Sequence, residues 1–296
     1  MSAVGLQCLP AGADDAARLA ARLGIPLHEI DVHRFPDGEL RVTVAEAAAT
    51  VILYLPLDRP NEKLLTLMFA AEALRRGGAK RLVLVAPYLC YMRQDAAFHP
   101  GEAISQKAIG ALIARTVDRV LTVDAHLHRT KKIADVFPGI AADDLSAMPA
   151  IAEALRGIAP DTVVVGPDEE SQGWVSDLAG RLGLTAAVAR KTRGGDRSVR
   201  IAFPDPTLFK DRPVLLVDDI VSSGGTLIAC AEALALAGAR SIDAVITHAL
   251  FPPEMTGAFT RAGIRSIRST TSVPHPTNAI ALDGILAAAL LKEIGT

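Results

Sequence analysis

The feature that most constrains the fold is a strand, loop and helix pattern within residues 214–226 and the segment that follows. Val214 to Val217 is a short, apolar, β-branched run typical of a buried strand, and from Leu227 onward the pattern predicts a helix. The intervening loop is therefore expected at the carboxyl end of a strand, which is where ligands bind in open α/β sheets. An α/β fold with a ligand site in this loop follows.

The side chains of this loop indicate the kind of ligand. Small polar residues that favour a phosphate are grouped there, namely Ser222, Ser223, Gly224, Gly225 and Thr226. Asp218 and Asp219 would repel a bare polyphosphate, but they suit a molecule with phosphate at one end and hydroxyl groups at the other. The alternative is a capped helix with solvated aspartates, which needs neither two acids nor a glycine pair. The pattern favours a sugar phosphate.

The helix after the loop belongs to an internal repeat. Ala71–Leu74 recurs as Ala231–Leu234, an offset of 160 residues that also aligns the glycine turns after both helices and pairs Asp58 with Asp218. A chance match between Ala- and Leu-rich helices is the alternative, but the agreement extends beyond the helix. The first copy has no glycine pair, so only the second can hold a phosphate. Two similar domains, one without the phosphate site, are the simplest explanation.

Further apolar runs predict strands in both halves of the chain. They are Val51 to Leu55, Arg81 to Ala86, Arg119 to Val123, Thr162 to Val165, Ala186 to Ala189 and Ile242 to Thr247. Because helical patterns follow these runs, mostly parallel sheets flanked by helices are expected. We place the domain boundary near Leu145 to Ala150, which gives domains of residues 1–147 and 148–296.

The composition excludes several classes of partner. A net charge of −2 gives no electrostatic footprint for nucleic acid or an anionic membrane. Cys8, Cys90 and Cys230 lack metal-ligand spacing and are expected to be buried thiols in a reducing compartment. Neither a secretory signal nor a membrane-spanning segment is predicted. We therefore expect a cytoplasmic protein that binds neither nucleic acid nor membrane.

Other polar clusters follow predicted strands or lie in turns. Asp124, His126 and His128 could ligate a divalent cation, His126 could bind a nucleotide phosphate, or the three could form a structural hydrogen-bonded cluster. Asp168 adds a strand-end carboxylate in the second half. Residues 190–197 carry four cations and two glycines, which suits either a solvated tip or a loop that closes over a polyphosphate.

Taken in chain order, from Phe35–Glu39 to Thr247–Phe251, the motifs of this sequence resemble those of the ribose-phosphate pyrophosphokinase family. The resemblance implies two phosphoribosyltransferase-like domains. It also implies transfer of the diphosphoryl group of Mg-ATP to the C1 hydroxyl of ribose 5-phosphate, which gives phosphoribosyl diphosphate and AMP. Mg²⁺ is the implied cofactor, and a homo-oligomer, dimer or hexamer, is the implied assembly.

The resemblance also implies a role for each matching residue. Residues implied to bind ATP, the first three often across a subunit interface, are Phe35, Asp37, Glu39, Arg93 and Gln94. The metal sites would involve His126 and Asp168, and the catalytic cations would be Lys191 and Arg193. Ribose 5-phosphate would be held by Asp218, Asp219, Ser222, Ser223, Gly224, Gly225 and Thr226.

The chain departs from the family pattern at two places. Glu169, Glu170 and Ser171 stand where a glycine pair is usual, and Ser222 and Ser223 replace the more usual Asp-Thr. Two other functions therefore stay open: a non-catalytic regulatory subunit that binds true synthetases, and a phosphoribosyltransferase that consumes the diphosphate. The loop cations and the glycine pair argue against the regulatory subunit.

Overall fold

The protein divides into two compact units. The structure, a computed structural model, describes residues 3–193 and 199–295, with side chains in 3–190 and 201–295. The first unit comprises Met1–Ser146, Ser272–Pro274 and Leu282–Thr296. The second comprises Ala147–Thr271 and His275–Ala281.

The first unit contains a six-stranded parallel sheet in the order β2-β1-β5-β6-β7-β8, and a separate antiparallel hairpin, β3–β4. Its strands are β1 (Val4–Cys8), β2 (Leu27–Glu29), β3 (Asp31–Arg34), β4 (Leu40–Thr43), β5 (Thr50–Tyr54), β6 (Arg81–Ala86), β7 (Arg119–Val123) and β8 (Ala141–Leu145). Its first helices are α1 (Ala13–Leu23), α2 (Pro60–Arg76) and α3 (Ser105–Thr116).

The second unit repeats this architecture with the order β10-β9-β13-β14-β15-β16 and a hairpin, β11–β12. Its strands are β9 (Val163–Gly166), β10 (Thr185–Val188), β11 (Arg190–Arg193), β12 (Val199–Ala202), β13 (Pro213–Val221), β14 (Ser241–Ala249), β15 (Ile264–Thr270) and β16 (Asn278–Ile280). Its helices are α4 (Met148–Ala154), α5 (Gln172–Leu182), α6 (Gly225–Leu236) and α7 (Thr256–Arg261). The predicted α/β class, with two similar domains and mostly parallel sheets, is confirmed.

The internal repeat corresponds to α2 and α6 and to the turns that end them. Ala79 donates its amide to the carbonyl of Leu74 at 3.0 Å, and Ala239 donates to Leu234 at 3.1 Å. Buried core residues of the two helices also match at the offset of 160, namely Leu67, Ala71 and Leu74 with Leu227, Ala231 and Leu234. The apolar faces therefore pack on their sheets in the same register.

The strands before these helices follow a different offset. Thr50 of β5 lies opposite Arg81 of β6, and Pro213 of β13 lies opposite Ser241 of β14. Arg81 and Ser241 are 160 residues apart, as are the matching helix residues, but Thr50 and Pro213 are 163 residues apart. Leu55, which is fully buried, therefore takes the place of Asp218. The predicted pairing of Asp58 with Asp218 is wrong, because the first unit has three more residues between this position and its helix.

The last helix, α8 (Asp283–Ile294), lies in the first unit. Arg119, at the start of β7, is 1% exposed and donates to Glu293 at 2.9 Å, and Arg81 forms a two-pronged ion pair with the same carboxylate at 2.6 and 2.9 Å. The prediction that residues 148–296 form one domain is wrong for this segment. A buried arginine needs carboxylate partners, and Arg119 has two, Asp143 of β8 and Glu293 of the last helix.

Several predicted boundaries also shift. The strand β13 runs through Asp218 and Asp219 to Val221, where the sequence predicted that the strand ends at Val217. Residues 190–193 form β11, paired with β12, although a loop was predicted there. The three cysteines are buried, as expected. None of the described helices is both long and apolar enough to span a bilayer.

Candidate active site

Three carboxylates gather at the carboxyl ends of the adjacent strands β9 and β13. Val165 lies opposite Leu216 in the parallel register, and Asp168, which follows β9, is close enough for its charge to act on Asp218. Asp218 accepts a hydrogen bond from the Asp219 amide at 3.0 Å, and Asp219 accepts one from the Ile220 amide at 2.8 Å. These local bonds fix the direction of both side chains at the edge of the sheet.

The three carboxylates are close enough to repel one another. Burial, together with the charges of Asp219 and Asp168, raises the pKa of Asp218 well above its usual range. A divalent cation or a set of sugar hydroxyl groups would relieve this crowding. Carboxylate oxygens are the ligands that Mg²⁺ prefers, so the donor set fits that ion.

The predicted phosphate loop connects β13 to α6. Gly224 has φ of 73° and begins the connection to α6, whose N-terminal amides are available to an anion. A Cβ atom at Gly224 would lie 2.6 Å from the Phe259 ring, so neither the backbone conformation nor the space admits a side chain. Ser222 and Ser223 are exposed, and Thr226 is half-buried in the first turn of the helix. The loop therefore has the form of an anion cradle.

The predicted catalytic cations lie on the β11–β12 hairpin. Along the backbone, Lys191 pairs with Ile201 and Arg193 with Val199. The side chains of Lys191 and Arg193 lie outside the described part of the structure. At the base of the hairpin, Arg190 lies 3.8 Å from the carboxylate of Glu169, which connects the hairpin to the segment after Asp168.

In the first unit, the histidine cluster follows β7. Asp124 has φ of 39°, its amide donates to the carbonyl of Leu145 at 2.8 Å, and the Ala125 amide donates to the carboxylate of Asp144 at 3.0 Å. The Nε2 atoms of His126 and His128 are 2.7 Å apart. An imidazole nitrogen is a less natural ligand for Mg²⁺ than a carboxylate oxygen, so Asp168 fits the ion better than His126.

An ion pair that sequence reasoning missed joins this loop to the one after β6. The carboxylate of Asp95 has no exposed surface and accepts bonds from the Arg129 amide at 2.9 Å and its guanidinium at 2.8 Å. Burial opposes ionisation of Asp95, but these bonds outweigh it and lower its pKa. Arg129 also lies 5.3 Å from the centre of the Phe98 ring. The available signal was a lone acid in the turn-rich segment after a predicted strand.

The predicted nucleotide residues fall into two groups. Gln94, which follows Arg93, accepts a bond from the Ser105 hydroxyl at 2.7 Å and so belongs to the loop that Asp95 anchors. Phe35, Asp37 and Glu39 instead lie in the turn of the β3–β4 hairpin.

That turn is closed by its own hydrogen bonds. The Phe35 amide donates to the Glu39 carbonyl at 2.8 Å, and the Glu39 amide donates to the Asp37 carboxylate at 3.1 Å. The Phe35 ring is 38% exposed and contacts His33 edge to face, with 4.7 Å between the ring centres. An exposed aromatic ring at the tip of a hairpin is available to stack on a planar ligand.

Comparisons with known proteins agree across the whole length of the chain. Residues 9–116 match the N-terminal domain of ribose phosphate pyrophosphokinase, and residues 143–258 match the phosphoribosyl transferase domain. The ribose-phosphate pyrophosphokinase of Methanopyrus kandleri is 33% identical over 90% of this chain and 91% of that protein. Ribose-phosphate pyrophosphokinase 2 of Archaeoglobus fulgidus is 32% identical over 92% and 94%. The phosphoribosylpyrophosphate synthetase structure from Mycobacterium smegmatis aligns with a TM-score of 0.83 at 25% identity, over 98% of this chain and 99% of that one.

Proposed function

This chain belongs to the ribose-phosphate pyrophosphokinase family, and we propose that it catalyses the reaction for which that family is named. The β,γ-diphosphoryl group of ATP passes to the C1 hydroxyl of ribose 5-phosphate. The hydroxyl oxygen attacks the β-phosphorus, the bond to the α,β-bridging oxygen breaks, and AMP and phosphoribosyl diphosphate form. The observation that carries the proposal is the pair of carboxylates Asp218 and Asp219 beside an anion cradle.

The second unit is proposed to hold the sugar acceptor. Asp218 and Asp219 accept hydrogen bonds from ribose hydroxyl groups. The phosphate is proposed to bind at Ser222, Ser223, Gly224, Gly225 and Thr226. Because both ends of the sugar are bound, its C1 hydroxyl is held in one orientation, which is the main contribution a protein makes to phosphoryl transfer.

Magnesium is the proposed cofactor. Asp168 is proposed to sit at a magnesium site of the second unit and His126 at a magnesium site of the first, and the ion would neutralise charge on the diphosphoryl oxygens when bound. Lys191 and Arg193 are proposed to stabilise the charge that develops on the transferred group. Arginine and lysine suit this role because they are donors with fixed positive charge.

The proposed ATP site uses residues of the first unit. Arg93 and Gln94 are proposed to bind the nucleotide, and Phe35 to stack on adenine while Asp37 and Glu39 read its edge. Since the turn that carries Phe35 is exposed, we propose that it serves the active site of a neighbouring copy in a homo-oligomer. Cytoplasmic localisation is proposed with the activity.

The direct test is to incubate the protein with MgCl₂, ribose 5-phosphate and a panel of nucleotide donors, and to quantify AMP and phosphoribosyl diphosphate. Equal amounts of both products are expected with ATP. If neither ATP nor another donor yields a nucleoside monophosphate, the proposal fails. Adding nucleobases separates the competing activity, since only a phosphoribosyltransferase would consume phosphoribosyl diphosphate in their presence.

A further inference from the structure

The segment after β9 is closed by a contact between Gly166 and Ser171. Gly166 does not have a positive φ, so its backbone conformation does not require glycine. Its space does, because a Cβ atom at Gly166 would lie 1.8 Å from the Ser171 Oγ, 2.7 Å from the Ser171 Cβ and 2.9 Å from a methyl group of Val175. The serine side chain therefore occupies the volume that a side chain at Gly166 would need.

Ser171 is fully buried and bonds to the backbone of Asp168. Its hydroxyl donates to the Asp168 carbonyl at 2.5 Å, and its amide donates to the same carbonyl at 3.2 Å. The two bonds close a single helical turn between the end of β9 and the start of α5. The position of the Asp168 backbone thus depends on a side chain three residues away.

We propose that Ser171 and Gly166 are a coupled pair of positioning residues for Asp168. Ser171 holds the turn that directs the Asp168 carboxylate toward Asp218 and Asp219, and Gly166 supplies the space without which the serine hydroxyl could not reach the Asp168 carbonyl. The inference rests on the proposed function only in treating Asp168 as a metal ligand. It also gives a role to Ser171, one of the three residues that stand where a glycine pair is usual in the family.

The packing half of the proposal is tested by exchanging the two positions. Gly166→Ala alone introduces the clash, so its unfolding midpoint is expected to fall by several degrees. Gly166→Ala combined with Ser171→Gly removes the two shortest contacts and leaves the Val175 methyl group at 2.9 Å, so it should recover most of that loss. The exchange Gly166→Ser with Ser171→Gly should behave likewise, since it places a hydroxyl in the same space. If Gly166→Ala is as stable as the wild type, the coupling does not exist.

The positioning half is tested with Mn²⁺, followed by electron paramagnetic resonance. The relevant Mn²⁺ site is the one that Asp168→Asn removes. Ser171→Ala deletes one hydrogen bond with little change of volume, so its Mn²⁺ affinity is expected to be about threefold to tenfold weaker, with the unfolding midpoint changed by only a few degrees. Ser176→Ala is the matched control, because Ser176 is a hydroxyl of the same helix that bonds only to Gln172 in the described structure.

Wild-type Mn²⁺ affinity in Ser171→Ala would overturn the positioning role. Mn²⁺ binding does not depend on turnover, so the two proposals fail separately. If Ser171→Ala weakens the Asp168-dependent site while the wild type makes no AMP, the positioning pair stands and the proposed function falls.

Discussion

The two units share one architecture but differ in the residues at the carboxyl ends of the equivalent strands β5 and β13. In the first unit, Leu55 is buried where the second unit has Asp218. The nearby acid, Asp58, is paired with Lys63 at 2.5 Å, and Lys63 also donates to the Pro56 carbonyl at 2.8 Å. The first unit therefore neutralises its acid internally.

In the second unit, Asp218 lies close to two further acids, Asp219 and Asp168. Burial, together with the charges of Asp219 and Asp168, raises the pKa of Asp218 and so the cost of ionising it. Electrostatic crowding of this kind is unfavourable to folding and is characteristic of functional sites. The duplicated fold supplies an equivalent strand end in both units, and we propose that the charges around it decide whether it binds a ligand.

The largest expected effect is on kcat, and it should follow from removing a cation of the second unit but not one of the first. Lys191→Ala should lower kcat about 1,000-fold or more, because a proposed transition-state charge is lost, while ribose 5-phosphate still binds. Lys63→Ala, which removes the internal cation of the first unit, should change kcat by less than about tenfold. Steady-state kinetics with both variants checks this. Equal losses would remove the functional distinction between the two units.

The next effect concerns the first unit alone. Glu293→Ala removes the carboxylate that Arg81 and the buried Arg119 share and leaves Arg119 paired with Asp143 alone, so the free energy of unfolding should fall by about 2–3 kcal/mol. Denaturant unfolding measures the loss. Ribose 5-phosphate affinity of the remaining folded protein should stay within about twofold, since its proposed site lies in the second unit. A loss of affinity without a loss of stability would contradict this assignment.

A glycine in each unit gives an intermediate effect. Gly224→Ala meets both a φ of 73° and the Phe259 ring, whereas Gly78→Ala meets a φ of 103° with no atom within 4 Å. We expect losses of about 3 kcal/mol for Gly224→Ala and about 1 kcal/mol for Gly78→Ala. Thermal unfolding of both variants checks the order, and only Gly224→Ala should also weaken sugar phosphate binding.

The smallest effect is a pH dependence. The raised pKa of Asp218 means that the folded protein binds this proton more tightly than the unfolded chain, so stability falls as pH rises from about 4 through the raised pKa. Asp218→Asn removes this term. The stability of Asp218→Asn relative to the wild type should therefore increase with pH, by at most about 1.4 kcal/mol per pH unit, and then level off. A difference that is constant with pH would mean that Asp218 is not crowded.

The sequence predicted local features well and long-range partners poorly. Arg119–Val123 was predicted as a strand with its observed ends, because composition and flanking turns are local signals. The placement of α8 in the first unit was missed, since it depends on Glu293 meeting Arg119 across 174 residues. The β3–β4 hairpin was also missed. Its short strands are mostly exposed and lack the apolar alternation that predicts a strand.

Within the candidate site, the sequence showed where the acids and the glycine pair lie. It did not show which charged groups surround each acid. That Asp58 is paired with Lys63, and that Asp218 lies close to Asp219 and Asp168, could be established only from the structure. The constant offset of 160 also misaligned β5 and β13. The offset was taken from the helices, so it could not reveal the three additional residues between strand and helix in the first unit.

The most direct test of the difference between the units is to titrate ribose 5-phosphate into two matched variants, Asp218→Asn and Asp58→Asn, by calorimetry. Each removes one charge from a strand end at nearly constant size. We predict an affinity about 10- to 100-fold weaker for Asp218→Asn and within about twofold of the wild type for Asp58→Asn. Wild-type affinity in Asp218→Asn, or an equal loss in both variants, would contradict the proposal that only the second unit holds the sugar.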